Sequence, residues 1–276
     1  MTTKSFDESF RPTPDSSGLA AVFVGHGSPM NAIEENSFTR SWNEIGKQAT
    51  PRAVLSVSAH WYTQGTGVTA MEHPRTIHDF WGFPDELNRV VYGAPGDPEI
   101  AALVEEVAKP TLVSQDHSWG LDHGTWSVLR HIYPEANIPV IQLSIDGTKP
   151  YEEHFALGAR LATLAKENNV LILGSGNVVH NLRMYNPHMG DAGFEWADRF
   201  DEKAHELMLA SPDRIPQLYE DPDFMKAVPT PDHFLPLAYI AGVADALGGD
   251  ISAFNESRTG GSLSMTGYAV TAKRNG

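Results

Sequence analysis

The sequence predicts an α/β fold, a single domain built on a mostly parallel central sheet with helices on both faces. Two observations carry that expectation. Four short runs, residues 20–24, 53–58, 138–144 and 170–174, are apolar and rich in β-branched side chains. In Val170-Leu171-Ile172-Leu173 every position is apolar, the pattern of a strand buried on both faces, as parallel strands usually are. Stretches of helical length and spacing lie between the runs, and strand–helix alternation is the mark of this architecture.

The elements follow in chain order. Residues 1–18 are polar, contain two prolines and lack the basic start and apolar stretch of a signal peptide, so they read as an N-terminal arm. No repeat, low-complexity tract or Gly/Ser linker divides the remainder, and residues 19–276 read as one domain. After the first run comes a helix over 36–48. After the second comes a helix over 98–108, with Pro98 in its first turn and Asp97 placed to cap it. A helix over 124–132 leads to the third run. The helix over 151–168 has Phe155, Leu157, Leu161 and Leu164 at roughly helical spacing before the fourth run. Helices over 194–210 and 234–247 come next, the second stopped by Gly248-Gly249. The chain closes with a strand over 262–270. Its alternation (Leu263, Met265, then Tyr268, Val270) slips at Gly267, where a β-bulge would restore the phase.

Composition narrows the function. Lys plus Arg is 20 against 35 Asp plus Glu, a formal charge of −15, and an acidic surface of that size repels phosphate backbones. Nucleic acid is therefore not expected as a partner. No apolar run reaches the roughly 18 residues of a membrane span, so no membrane partner is expected and the location reads as cytoplasmic. There are no cysteines, which removes disulfides, thiolate metal sites and thiol nucleophiles together. Any metal must sit on His, Asp or Glu, a donor set that suits Zn²⁺, Fe²⁺ or Mn²⁺.

The placement of the 12 histidines carries the rest. His26 follows the first run in Gly25-His26-Gly27-Ser28-Pro29. His60 closes the second in Ser58-Ala59-His60-Trp61, and His180 lies just past the fourth in Gly174-Ser175-Gly176-Asn177-Val178-Val179-His180. In a parallel sheet the strand C-termini share one edge, where ligands bind. Three histidines distant in sequence are thus delivered to one place, which points to a metal site. His233, after two prolines in Pro229-Thr230-Pro231-Asp232-His233, stands at a helix start as a fourth candidate. His123, in Gly120-Leu121-Asp122-His123-Gly124-Thr125-Trp126, reads either as a helix-start hydrogen-bonding residue or as an acid/base beside the metal. The aromatic segment Thr76-Ile77-His78-Asp79-Phe80-Trp81-Gly82-Phe83-Pro84 is either a wall for a flat substrate or a loop packed on the core. His73, His117, His131, His154, His188 and His205 have no such context and are assigned to surface or packing.

Five of these segments, in order from Gly25-His26-Gly27-Ser28-Pro29 to Gly261-Ser262-Leu263-Ser264-Met265, resemble the class III extradiol dioxygenase superfamily with the LigB-like fold, in its 4,5-DOPA extradiol dioxygenase branch. The resemblance spans nearly the whole chain and marks residues 19–276 as the catalytic domain. It implies an oxidoreductase that opens a small aromatic diol with O₂, using one divalent metal ion, Fe²⁺ for activity or Zn²⁺ as found. His26, His60 and His233 would hold the metal. His180 would be a fourth ligand or the catalytic acid/base, and His123 would face substrate and dioxygen. Where much of the superfamily pairs two histidines with a carboxylate, this chain offers His233.

Two other enzyme classes share parts of the pattern. Gly25-His26-Gly27-Ser28 also resembles tetrapyrrole chelatases, but that reading leaves His60 and the Asp122-His123-Gly124 turn unused. A zinc-dependent hydrolase would use three histidines with a carboxylate base, for which Asp79, Asp122 and Asp232 are available.

Overall fold

A computed structural model describes residues 18–272. The arm expected over residues 1–18 lies, except for Gly18, outside the described residues. The first strand, β1 (Leu19–Gly25), leads through a short turn to α1 (Ser37–Gly46). That helix begins where a sequence pattern dictates it: Asn36 accepts the Thr39 N–H at 3.0 Å and Thr39 Oγ1 accepts the Asn36 N–H at 2.9 Å. The chain continues through β2 (Ala53–Thr63), β3 (Thr66–Thr69), a single turn α2 (Asp85–Asn88) and α3 (Pro98–Ala108), capped by Asp97 as expected. Then come β4 (Val113–Asp116), α4 (His123–Ile132), β5 (Val140–Asp146), α5 (Tyr151–Asn168) and β6 (Val170–Gly176). The remainder is α6 (Glu195–Ala210), the short α7 (Phe224–Ala227), α8 (Leu235–Leu247), β7 (Asp250–Phe254), β8 (Arg258–Thr259), β9 (Leu263–Ser264) and β10 (Gly267–Thr271).

Eight strands form one sheet in the order β4-β3-β5-β2-β6-β1-β10-β7. The four apolar runs make its centre, β5-β2-β6-β1, and pair in parallel throughout. Their uniform apolarity has the expected consequence, because alternate residues enter two cores. Phe23, Leu55 and Ile172 pack with α3, α5, α6 and α8 on one face; Val22, Val54 and Leu173 pack with α1 and α4 on the other. The mixed edges come from β3 against β5 and from β10 against β1 and β7, all antiparallel.

Two expectations are corrected. The strand over 262–270 is two strands: Leu263–Ser264 pairs with β8 in a separate ribbon, and Gly267–Thr271 joins the main sheet. The phase slip at Gly267 marks that junction and not a bulge. A side chain there would collide with the Phe254 ring, so glycine permits β10 to lie against β7. The second run also extends past His60 to Thr63. Pairing with β5 jumps from Val57–Leu143 to Tyr62–Ile145, so the residues between leave the ladder while the chain remains extended. No helix among the described residues is long and apolar enough to cross a membrane.

Candidate metal centre

The C-terminal ends of β1 and β6 and the off-register part of β2 open toward the N-terminus of α4 and the segment before α8. His26, His60 and His233 meet there, each offering a ligating nitrogen within 4.8 Å of the others. His26 and His233 are buried and His60 is half-buried. The approach is tight because glycines allow it. A Cβ on Gly25 would sit 2.7 Å from the Ser264 carbonyl oxygen, and one on Gly176 would strike the backbone of His233 itself.

Each of the three rings commits one nitrogen to the protein. Ser175 Oγ donates to the Gly124 carbonyl at 2.5 Å, so at its 3.0 Å contact with His26 Nδ1 it must accept. That places the proton of His26 on Nδ1. His60 Nδ1 lies 3.2 Å from Asp79 Oδ2, and His233 Nδ1 contacts the Asp232 carboxylate. The Nε2 atoms remain, and those of His26 and His60 are 3.2 Å apart. Two nitrogens each about 2.1 Å from one tetrahedral ion lie about 3.4 Å apart. The spacing and the inward lone pairs therefore fit a single small divalent cation, and the all-nitrogen donor set suits Fe²⁺ or Zn²⁺. Burial, reinforced by the neighbouring His60 and His233, lowers the pKa of His26 well below the usual imidazole range. Burial and His123 do the same for His60. Neutral rings are the form a metal binds.

His180 is brought to the same place but not into the three-nitrogen set. Its ring stacks on that of His233, with centroids 3.5 Å apart and planes 3° from parallel. Burial first, and then His233, push its pKa down to about 3. His123 opens α4 with its ring centroid 3.9 Å from that of His60. The cap of that helix is more than local. Asp122 accepts the Thr125 N–H at 3.1 Å and the Ser58 hydroxyl at 2.7 Å, and Gln142 binds it from β5. Burial, with the charge of Asp79, raises the carboxyl pKa of Asp122. The histidines assigned to packing behave so: His154 Nδ1 bonds Tyr239 and His131 Nε2 meets the Asn31 carbonyl.

The aromatic segment packs onto the start of α4. Ile77 and Leu121 pin it to the base of α4 through the bond from Ile77 N–H to the Leu121 carbonyl at 2.7 Å, and Phe80 lies edge-on to His123 at 5.6 Å. Its one carboxylate, Asp79, was legible in the sequence only as a nearby acidic residue. Asp79 Oδ1 accepts the His123 backbone N–H at 3.0 Å and lies 3.0 Å from His123 Nδ1, while Oδ2 faces His60. Burial opposes its ionisation, but His123 and His60 outweigh burial and hold the carboxyl at about 2. A carboxylate enclosed by aromatic residues beside a histidine motif was the signal for it. Ser175 had none beyond its glycine neighbours.

Comparison with known proteins gives a consistent answer. Residues 20–266 match the family model described as the catalytic LigB subunit of aromatic ring-opening dioxygenase. The chain is 46% identical over 236 residues to a 4,5-DOPA dioxygenase extradiol of Escherichia coli K12, covering 83% of this chain and 87% of the relative. It is 36% identical over 259 residues to a 4,5-DOPA dioxygenase extradiol of Beta vulgaris, covering 91% and 96%. A crystal structure of an uncharacterized Escherichia coli K12 protein superimposes with a TM-score of 0.79 at 40% identity, covering 91% of this chain and 99% of that one.

Proposed function

The chain belongs to the LigB family of aromatic ring-opening dioxygenase catalytic subunits, and from that premise we propose that it opens a catechol-type ring, of the 4,5-DOPA kind, outside its two hydroxyls with O₂. The observation that carries the reading is the convergence of His26, His60 and His233, with the Nδ1 of each ring turned to a protein partner. In this reading those three hold one divalent metal, Fe²⁺ in the working enzyme. When bound, the ion supplies the charge that acidifies the catechol hydroxyls and a common centre for substrate and dioxygen.

The remaining chemistry falls to the chain's own side chains. His180 is the imidazole placed to accept a phenolic proton; burial holds its pKa low in the free protein, so the role requires the negative charge of the bound catechol to raise it. Its stacking on His233 keeps it beside the metal ligands while leaving it outside their set, which favours acid/base work over ligation. His123 stands on the other side of His60, oriented by Asp79, as a second group able to move a proton. Phe80 closes the apolar side of this space against His123 and limits water there.

The test is oxygen uptake by iron-loaded protein over a small panel of catechols including 4,5-DOPA, with a yellow ring-opened product as readout. Uptake with at least one catechol, abolished under anaerobic conditions, is expected. Turnover that persists without O₂ would show a hydrolase instead. In the same assay, His180→Ala retains its metal but loses at least about 10²-fold in turnover, the scale of acid–base catalysis; undiminished turnover removes His180 from the mechanism.

A further inference from the structure

We propose that Asp79 is a positioning residue that sets the proton of His60, and so decides whether the metal centre can form. The inference rests on the metal-centre reading above but names a residue that the three-histidine set does not contain. One carboxylate stands against two imidazoles, Oδ2 at 3.2 Å from His60 Nδ1 and Oδ1 at 3.0 Å from His123 Nδ1. An ionised carboxylate has no proton to give, so the His60 nitrogen that faces it is the protonated one. His60 then carries its proton on Nδ1 and turns a lone pair at Nε2 toward His26 Nε2, 3.2 Å away. Carboxylate partners of metal-binding histidines act in this manner, and losing one typically costs about 10- to 100-fold in affinity.

The backbone makes the arrangement directional. Asp79 Oδ1 also accepts the His123 main-chain N–H at 3.0 Å, a donor that cannot change its character. In Asp79→Asn the amide oxygen must stay on that N–H, because the amide NH₂ group would meet it donor to donor. The NH₂ group is then left facing His60 Nδ1. To accept from it, His60 must move its proton to Nε2, the atom that faces the metal position. The isosteric change therefore opposes metal binding actively, whereas Asp79→Ala only removes a partner and leaves water to accept from Nδ1.

This predicts an order that packing alone would reverse. Zn²⁺ affinity, measured by competition with a chromophoric chelator, falls from wild type to Asp79→Ala to Asp79→Asn, with Asn at least about 10-fold below wild type. A packing role makes Asn, which conserves shape, nearly equal to wild type and Ala the weakest; that order overturns the proposal. So does a second Zn²⁺ equivalent in wild type that either variant loses, because Asp79 would then be a ligand. Nitrogen-15 NMR of the His60 ring in metal-free wild type needs no variant to fold: a proton on Nδ1 is expected, and one on Nε2 refutes the assignment. Catechol turnover by wild type is scored separately. A protein that shows this affinity order yet consumes no oxygen keeps the role of Asp79 and loses the proposed reaction.

Discussion

Each histidine of the centre spends Nδ1 on the protein and keeps Nε2 for the shared space, and the partners differ in strength. Asp79 and Asp232 are charged, while Ser175 is a neutral hydroxyl whose own proton is used by Gly124. Ser175→Ala thus removes two bonds at once; the Gly124 carbonyl keeps its place in the α4 ladder, but the buried Nδ1–H of His26 is left without a partner. An orphaned buried polar group costs about 1–3 kcal/mol. The metal-free variant is expected to unfold at measurably lower denaturant than wild type, and its Zn²⁺ affinity to drop as His26 becomes free to exchange tautomers. A variant that matches wild type in chelator competition would mean that His26 is oriented by its glycine-flanked backbone alone. At this scale the sequence was legible where local context announces a residue. His26 sits between glycines at the end of an apolar run, and His233 follows Pro229 and Pro231. Ser175 lies 149 residues from the ring it orients, and nothing local to it encodes that contact.

At the scale of elements, α4 does the most to build the site. Its N-terminus presents His123, its cap ties together β2 and β5 through Ser58 and Gln142, and its first turn runs directly beneath the His60 ring. Gly124 is the point of closest approach: a Cβ there would lie 2.5 Å from Ser58 Oγ and 2.9 Å from His60 Cδ2. Elsewhere in a helix, Gly→Ala gains roughly 0.5–1 kcal/mol from reduced backbone entropy. Here the methyl must displace either the ligand ring or the hydroxyl that binds the cap. Gly124→Ala is expected to weaken Zn²⁺ binding at least about 10-fold without loss of helical circular dichroism, separating the site from the fold. Unaltered affinity would show that β2 can shift without cost. The elements read correctly from sequence were those whose burial is two-sided or whose ends are capped, as in β6 and α3. Strands β3 and β4 escaped because Thr66–Thr69 and Val113–Asp116 are four residues each, and β4 is largely polar and sits at the sheet's edge.

The whole molecule concentrates unprotonated imidazole in one interior region, and its stability should record this. In the unfolded chain a histidine titrates near 6.5. Folding lowers the pKa of His26, His60, His131, His154 and His180, in each case first by burial. As the pH falls below about 6.5 the unfolded chain therefore takes up protons that the folded chain refuses, and stability declines. Two buried carboxyls, Asp122 and Asp201, are raised by burial and oppose the trend, but the imidazoles outnumber them among the described residues. Asp79 and Asp232 are lowered, so they add their own loss only below about pH 4, where unfolded carboxylates protonate. The window between about pH 4 and 6.5 belongs to the histidines, and each fully buried ring can cost up to about 1.4 kcal/mol per pH unit there. The urea midpoint of metal-free protein is accordingly expected to be lower at pH 5.5 than at pH 7.5. Zn²⁺ should raise the midpoint strongly at pH 7.5 and less at 5.5, because protons compete for the same nitrogens. An equal Zn²⁺ effect at both pH values would mean that the ion is held by carboxylates, and the three-histidine centre would have to be abandoned.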